Sequence, residues 1–335
     1  MHRVRELVAR LDRYQQRHRS LGVAWAVQKK FGGDDAGLLV VALGWYGFTA
    51  IYPLLLAVTT VLGFVGVGSL GGGVVRTLHQ FPVIGSQLRP GRSTLHGSPL
   101  ALAVGIVGLV YGAQGVTQTA QAAIDRAWNV PEVDRPGFVP RLGRSLAALL
   151  VIAFAFLAAA LAGGVATSGG RAWGARAGIV AVELVADVVL YLLAFRLLLA
   201  PKAAVPTRRL VPGALVGGTG FTALVTVGTG LVEHELRGQS ATYGAFASVI
   251  GVVTFLLLLG KLSLYAAELN AVLARGLYPR ALPGGEPLAA DRAALAARAA
   301  EQRRRADERI GADFGGAVEA SDRRGAPAPA QPMSE

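Results

Sequence analysis

Charged residues leave five long gaps along this chain and are sparse in a sixth stretch. Residues 36–75, 97–124, 145–170, 210–232 and 240–260 contain no Asp, Glu, Lys or Arg, and 178–200 is apolar apart from Glu183, Asp187 and Arg196. A helix rises about 1.5 Å per residue, so about 20 apolar residues cross roughly 30 Å of hydrocarbon. The pattern therefore predicts six transmembrane helices, near 38–66, 99–121, 146–168, 178–200, 211–232 and 245–267. One such run could be the core helix of a soluble protein, but six in succession argue against that. Backbone amides cannot stay unpaired in lipid, so the spans are expected as helices. A β-barrel would show alternating segments of about ten residues instead. The expected fold class is all-α, a polytopic membrane helix bundle with about six transmembrane helices. Pro53 falls in the middle of the first run, where it removes a helix hydrogen bond and kinks the axis, and a Gly-rich exit follows it. The first 35 residues are too polar for a cleavable signal peptide.

Composition supports this reading. Of 335 residues, 53% are hydrophobic and only 16% charged, where a soluble domain carries about 25% charged residues. Disorder over most of the length is excluded, and an ordinary soluble enzyme fits poorly. The absence of cysteine excludes a disulfide scaffold, a thiolate metal site and a cysteine nucleophile. The net charge of +12 suits either nucleic acid or a membrane surface, and the placement of the basic residues decides between them. Counted by alternate loops, 26 Lys and Arg fall on one side and 6 on the other, with Lys261 inside a span. Basic loops stay in the cytoplasm, so both termini are expected there, at a bacterial inner membrane. The lipid bilayer, and not nucleic acid, is the expected partner.

Three regions follow. Residues 1–35 form a basic arm in which Val4, Leu7, Val8 and Leu11 recur at helical spacing. That spacing suits a helix lying on the membrane surface, with a solvated arm as the equal alternative. Residues 36–275 form the six-helix membrane domain. Residues 276–335 form an Arg/Ala-rich, largely disordered cytoplasmic tail, with helix favoured over 286–309 and disorder past Gly311.

Polar residues inside the spans are the candidates for chemistry. In span two, Gly105, Gly108, Gly112 and Gly115 share one face, where small residues let helices approach closely. Gln114, Gln118, Gln121 and Asp125 repeat on another face and are expected to meet the bundle interior or a wet cavity. Span four carries Glu183 and Asp187 at i, i+4. A charge at mid-depth costs roughly 2.5–3.5 kcal/mol on insertion scales, so such residues usually face an interior or a pathway. Span six carries Lys261 and, seven residues on, Glu268. Snorkelling explains Lys261 equally well. Glu183, Asp187, Gln114, Gln118, Gln121, Lys261 and Glu268 thus form the candidate intramembrane polar lining. The five histidines are scattered, and Glu233-His234-Glu235 reads as a solvated turn. Zinc-protease, phosphate-loop and serine-hydrolase signatures are missing, so no enzyme activity, metal or cofactor is expected.

Three stretches resemble the YihY/BrkB family of bacterial inner-membrane proteins, once labelled ribonuclease BN. The first is GWYGFTAIYPLL at 44–55, with its central Pro53. The second is Ala123-Ile124-Asp125-Arg126-Ala127-Trp128-Asn129-Val130, similar to the family's N-R-A-W with Asp125 in place of the usual Asn. The third runs from Phe195-Arg196-Leu197-Leu198 and Pro201, through Val211-Pro212-Gly213-Ala214, to Thr242-Tyr243-Gly244-Ala245 and Ala267-Glu268-Leu269-Asn270-Ala271. The resemblance implies six membrane helices and cytoplasmic termini. The family has no settled biochemical activity. The leading expectation is an envelope-integrity protein acting as a transporter or lipid-handling protein, with a lipid or small molecule as substrate and the oligomeric state left open. The alternatives are a scaffolding protein without transport and, disfavoured, a membrane-associated nuclease.

Overall fold

The computed structural model describes residues 2–65, 99–166, 173–236 and 241–314. Among these, regular structure is wholly helical. Three helices lie at the termini: α1 (His2–Arg17), α2 (Arg19–Gly33) and α9 (Ala289–Glu301). Six long ones make the bundle: α3 (Ala36–Val65), α4 (Pro99–Ala127), α5 (Phe138–Ala166), α6 (Trp173–Leu198), α7 (Val211–Leu236) and α8 (Ala241–Arg275). Each long helix falls on one of the five uncharged gaps or, in α6, on the sparsely charged stretch that carries Glu183, Asp187 and Arg196. The shortest has 26 residues, about 39 Å of rise. By length and apolarity, the described stretch Val249–Arg275 suffices to cross a bilayer, while Ala36–Ile51 and Val211–Val227 are shorter apolar segments. Pro53 lies inside α3. The Gly-rich exit expected after it falls outside the described residues.

Small residues set the helix spacings. The glycine face of α4 meets α3 in antiparallel register: a Cβ on Gly108 would strike Pro53, on Gly112 Ala50, and on Gly115 the Tyr46 ring. Positions 46, 50 and 53 are themselves one helical stripe. On α7, Gly217 and Gly218 seat Tyr191 and Val188 of α6, and Gly220 seats Leu262 of α8. For the membrane helices that the sequence predicts, close van der Waals approach of this kind is what favours association, because apolar burial gains little in lipid.

The tightest core sits at one end of the bundle. Ile124, Trp128, Phe195, Leu198, Leu210, Ala214, Ala266 and Ala271 are buried together there, because α4, α6 and α8 end near the point where α7 begins. Further along, large apolar side chains face outward, among them Leu38, Trp45, Val107, Tyr111, Leu150, Val182 and Val185.

The terminal regions differ from the sequence expectation. The arm is not separate: Ala26, Val27, Lys30 and Phe31 of α2 are buried, with Ala26 and Val27 against Val272, Leu277 and Ala294. The described part of the tail, 276–314, is also docked and not loose. Its Asp291 carboxylate accepts hydrogen bonds from Lys29 at 2.8 Å, Arg280 at 2.9 Å and the Ala281 N–H at 2.9 Å. The helix expected within 286–309 is α9. The partners of Asp291 include one from the far end of the chain, a pairing that local composition does not contain.

Candidate functional site

The family-like residues converge on the tightly packed end. After α4 the chain turns at Asn129, whose φ of +44° is a left-handed conformation that Asn tolerates better than most residues. The Asp125 carboxylate one turn earlier accepts the Ala200 N–H at 2.7 Å, fixing the loop that starts at Pro201. Arg275, at the end of α8, donates to the Trp128 carbonyl and lies 5.9 Å over its ring. Asn129 donates to Glu301 of α9 at 3.0 Å, which Arg135 also reaches at 2.7 Å and Arg126 at 3.8 Å. Asn270 accepts the Gly213 N–H at 2.6 Å, satisfying one of the donors that the first turn of α7 leaves free. These residues form a joint between helix ends. Arg196 is exposed, and Tyr243 and Gly244 lie in the first turn of α8, where the surroundings of their side chains fall outside the described set.

Beside this joint lies a buried ionic cluster. Lys30 of α2 pairs with Asp34 four residues on and with Glu268 of α8 at 3.1 Å, the Lys30 and Glu268 side chains being 3% and 2% exposed. One cation thus serves two carboxylates away from water, where unpaired charge is costly. Glu268, expected as lining, is here the tie between α2 and the bundle.

The remaining lining candidates are placed in several ways. Asp187 accepts a hydrogen bond from Thr222 of α7 at 2.7 Å. One turn on, the Tyr191 hydroxyl meets Ser263 of α8 at 3.0 Å, so one face of α6 presents a polar seam to two neighbours. Glu183 continues that face but is exposed. The glutamines bond locally: Gln118 donates to Gln114 at 3.1 Å, and Gln121 to Ser145 of α5 at 2.9 Å. Lys261 is exposed, 6.0 Å from the Tyr265 ring. The candidates therefore occupy several places and do not line one cavity. Sequence reading missed Tyr191, Thr222, Ser263, Lys30 and Asp34. Tyr191 alone carried a signal, standing four residues from Asp187. Among the described residues no group of three His, Asp or Glu could hold a metal ion.

The fold of the described residues defines the class, all-helical with a helix long and apolar enough to cross a membrane. Residues 27–288 match the family model described as virulence factor BrkB. The chain belongs to that family, as the resemblance of its motifs implied, and membership supports a membrane protein. Neither curated proteins nor solved structures give a match.

Proposed function

We propose that the chain is a six-span inner-membrane protein with both termini in the cytoplasm, serving envelope integrity by handling a lipid or small molecule along the polar seam of α6. One observation supports this most. The face of α6 bearing Asp187 and Tyr191 is turned to Thr222 and Ser263, while Val182, Val185 and Val189 of the same helix are exposed. Large contiguous apolar surface is rare on soluble monomers, whereas intramembrane carboxylates usually serve a pathway. On this reading the protein acts without enzymatic chemistry or cofactor, and its partners are the bilayer and the molecule handled. Scaffolding is favoured only for Gln114, Gln118 and Gln121, whose bonds stay within or between adjacent helices. In a strain lacking the protein, Asp187→Asn and Glu183→Gln should reach the membrane at normal levels yet fail to restore resistance to detergent and osmotic stress. Full restoration by both would sink the seam as a pathway. A reporter on the C terminus that is active only outside the cell would overturn the topology.

A further inference from the structure

The first helix is held to the bundle by its polar edge. Asp12 accepts the Leu282 N–H at 3.0 Å and the side-chain amides of Gln15 and Gln16 at 3.0 and 2.9 Å. Gln15, itself buried, also donates to the Arg280 carbonyl at 2.8 Å. Asp12, Gln15 and Gln16 stand three and four residues apart, hence on one face of α1. The apolar residues are on the next stripe and stay uncovered: Leu11 is 59% exposed and Tyr14 55%. In sequence that stripe continues to Leu7 and Val4. On its far side come Arg10 and Arg17, with Arg13 further round. All three are exposed, and none is in an ion pair among the described residues.

Three stripes thus follow one another around α1: a polar edge on the bundle, an open apolar strip and an arginine flank. A surface helix of a soluble protein turns its apolar stripe to the core and its polar side to water. Here the contact with the core is polar, so the apolar strip calls for another cover. The order of the stripes suits a helix lying in a lipid surface beside a membrane bundle. One edge meets protein, the strip meets acyl chains, and the arginine flank meets headgroups. The height along the bundle agrees. Arg280 and Leu282, which hold α1, follow closely on Arg275, the last residue of the α8 stretch long and apolar enough to cross a bilayer. Tyrosine is also favoured at that depth. Charge chooses between covers: a second copy of this chain, at net +12, would bring its own arginine flank, whereas anionic lipid attracts one.

We propose that α1 lies in the cytoplasmic leaflet with Leu11 and Tyr14 immersed among acyl chains, and that Arg10 and Arg17 bind the phosphates of anionic phospholipids. The inference rests on the membrane embedding proposed above and not on the seam of α6. It makes the arm a second lipid contact of the folded protein, fixed in orientation by Asp12 and Gln15.

The chain has no cysteine, so a single introduced thiol carries a single spin label. The full chain with Leu11→Cys, Tyr14→Cys or Ala9→Cys is placed in nanodiscs of mixed phosphatidylglycerol and phosphatidylcholine, or of phosphatidylcholine alone. All three positions are exposed, so folding is not at risk. Collisions with oxygen, which partitions into lipid, are compared with collisions with a water-soluble nickel chelate. Labels at 11 and 14 should favour oxygen in the anionic discs, and the label at 9, on the opposite face, should favour nickel. Adding Arg10→Gln or Arg17→Gln should lower the ratio of immersed to free label at 11 about fivefold each, the contribution of one basic residue at an anionic surface. Discs of phosphatidylcholine alone should lower it further. Nickel access at 11 equal to that at 9 would overturn the proposal. So would shielding of 11 from both reagents, which marks a protein cover, or equal immersion in the two kinds of disc. A chain that does not enter the discs would overturn the membrane reading as well, whereas water access at 11 in an embedded chain removes this inference alone.

Discussion

The Asn270 side chain on α8 caps α7 by accepting the Gly213 N–H at 2.6 Å, and Gly213 is glycine because a Cβ there would collide with the Ala266 carbonyl and with Asn270 itself. One buried amide thus fixes the spacing and satisfies the end of a neighbouring helix. Asn270→Leu leaves a buried donor unpaired and should cost about 1–3 kcal/mol. Gly213→Ala should cost at least as much, since backbone has to move. Apparent thermal stability of the detergent-solubilised protein, followed by tryptophan fluorescence, checks both. A melting temperature unchanged in either variant would show that the joint carries no weight.

Lys30 is the sole cation paired with Asp34 and Glu268 among the described ion pairs. Lys30→Ala leaves two buried carboxylates facing each other and should destabilise by about 3–5 kcal/mol. Glu268→Gln should be milder, because Lys30 keeps Asp34. The order of the two effects, measured by heat or denaturant, is the diagnostic; the reverse order would place Glu268 in some other role.

Glycines of this bundle should divide by what they touch. Gly112→Ala puts a methyl 2.8 Å from the Ala50 Cβ and 2.9 Å from its Cα, forcing α3 and α4 apart. Overpacking of this kind costs about 1–3 kcal/mol. Gly143 in α5 has nothing within 4 Å of an added Cβ, so Gly143→Ala should stabilise by about 0.5–1 kcal/mol through helix propensity. Paired melting curves of the two variants test the contrast.

Docking of α9 should fail in acid. Burial raises the Asp291 pKa, but bonds from Lys29, Ala281, Arg280 and Leu288 outweigh it and hold the group at about 2. A folded-state pKa below the unfolded value contributes stability above pH ~4 that is lost as pH falls from about 4 towards 2. The size of the shift corresponds to ~2 kcal/mol. Protease cleavage near α9 should rise across that window in the wild type. Asp291→Asn should show raised cleavage at neutral pH and a flat profile across it.

Much of this arrangement could be read along the chain. Five uncharged runs and one sparsely charged stretch located the six long helices, because a helix repeats its environment along its own axis and a missing charge is a local property. The stripe Gly108, Gly112, Gly115 announced a close contact for the same reason, though not that Tyr46, Ala50 and Pro53 would fill it. The polar candidates were less legible. Periodicity placed Gln114, Gln118 and Gln121 on one face but was silent on whether that face met a cavity; they bond to each other and to α5. Glu268 looked like lining, and it became a tie to α2 because Lys30 comes from a helix that the basic arm concealed.

Helicity, the apolar extent of each helix, the asymmetry of basic residues and family membership follow from the residues in order, since each depends on neighbours within one or two turns. The tertiary structure alone decided that Asp291 meets Lys29, that Asp125 holds Ala200, and that Lys30 meets Glu268. Those partners are brought together by how rigid rods cross, and a crossing depends on distant pairs of surfaces that no single stretch of sequence contains.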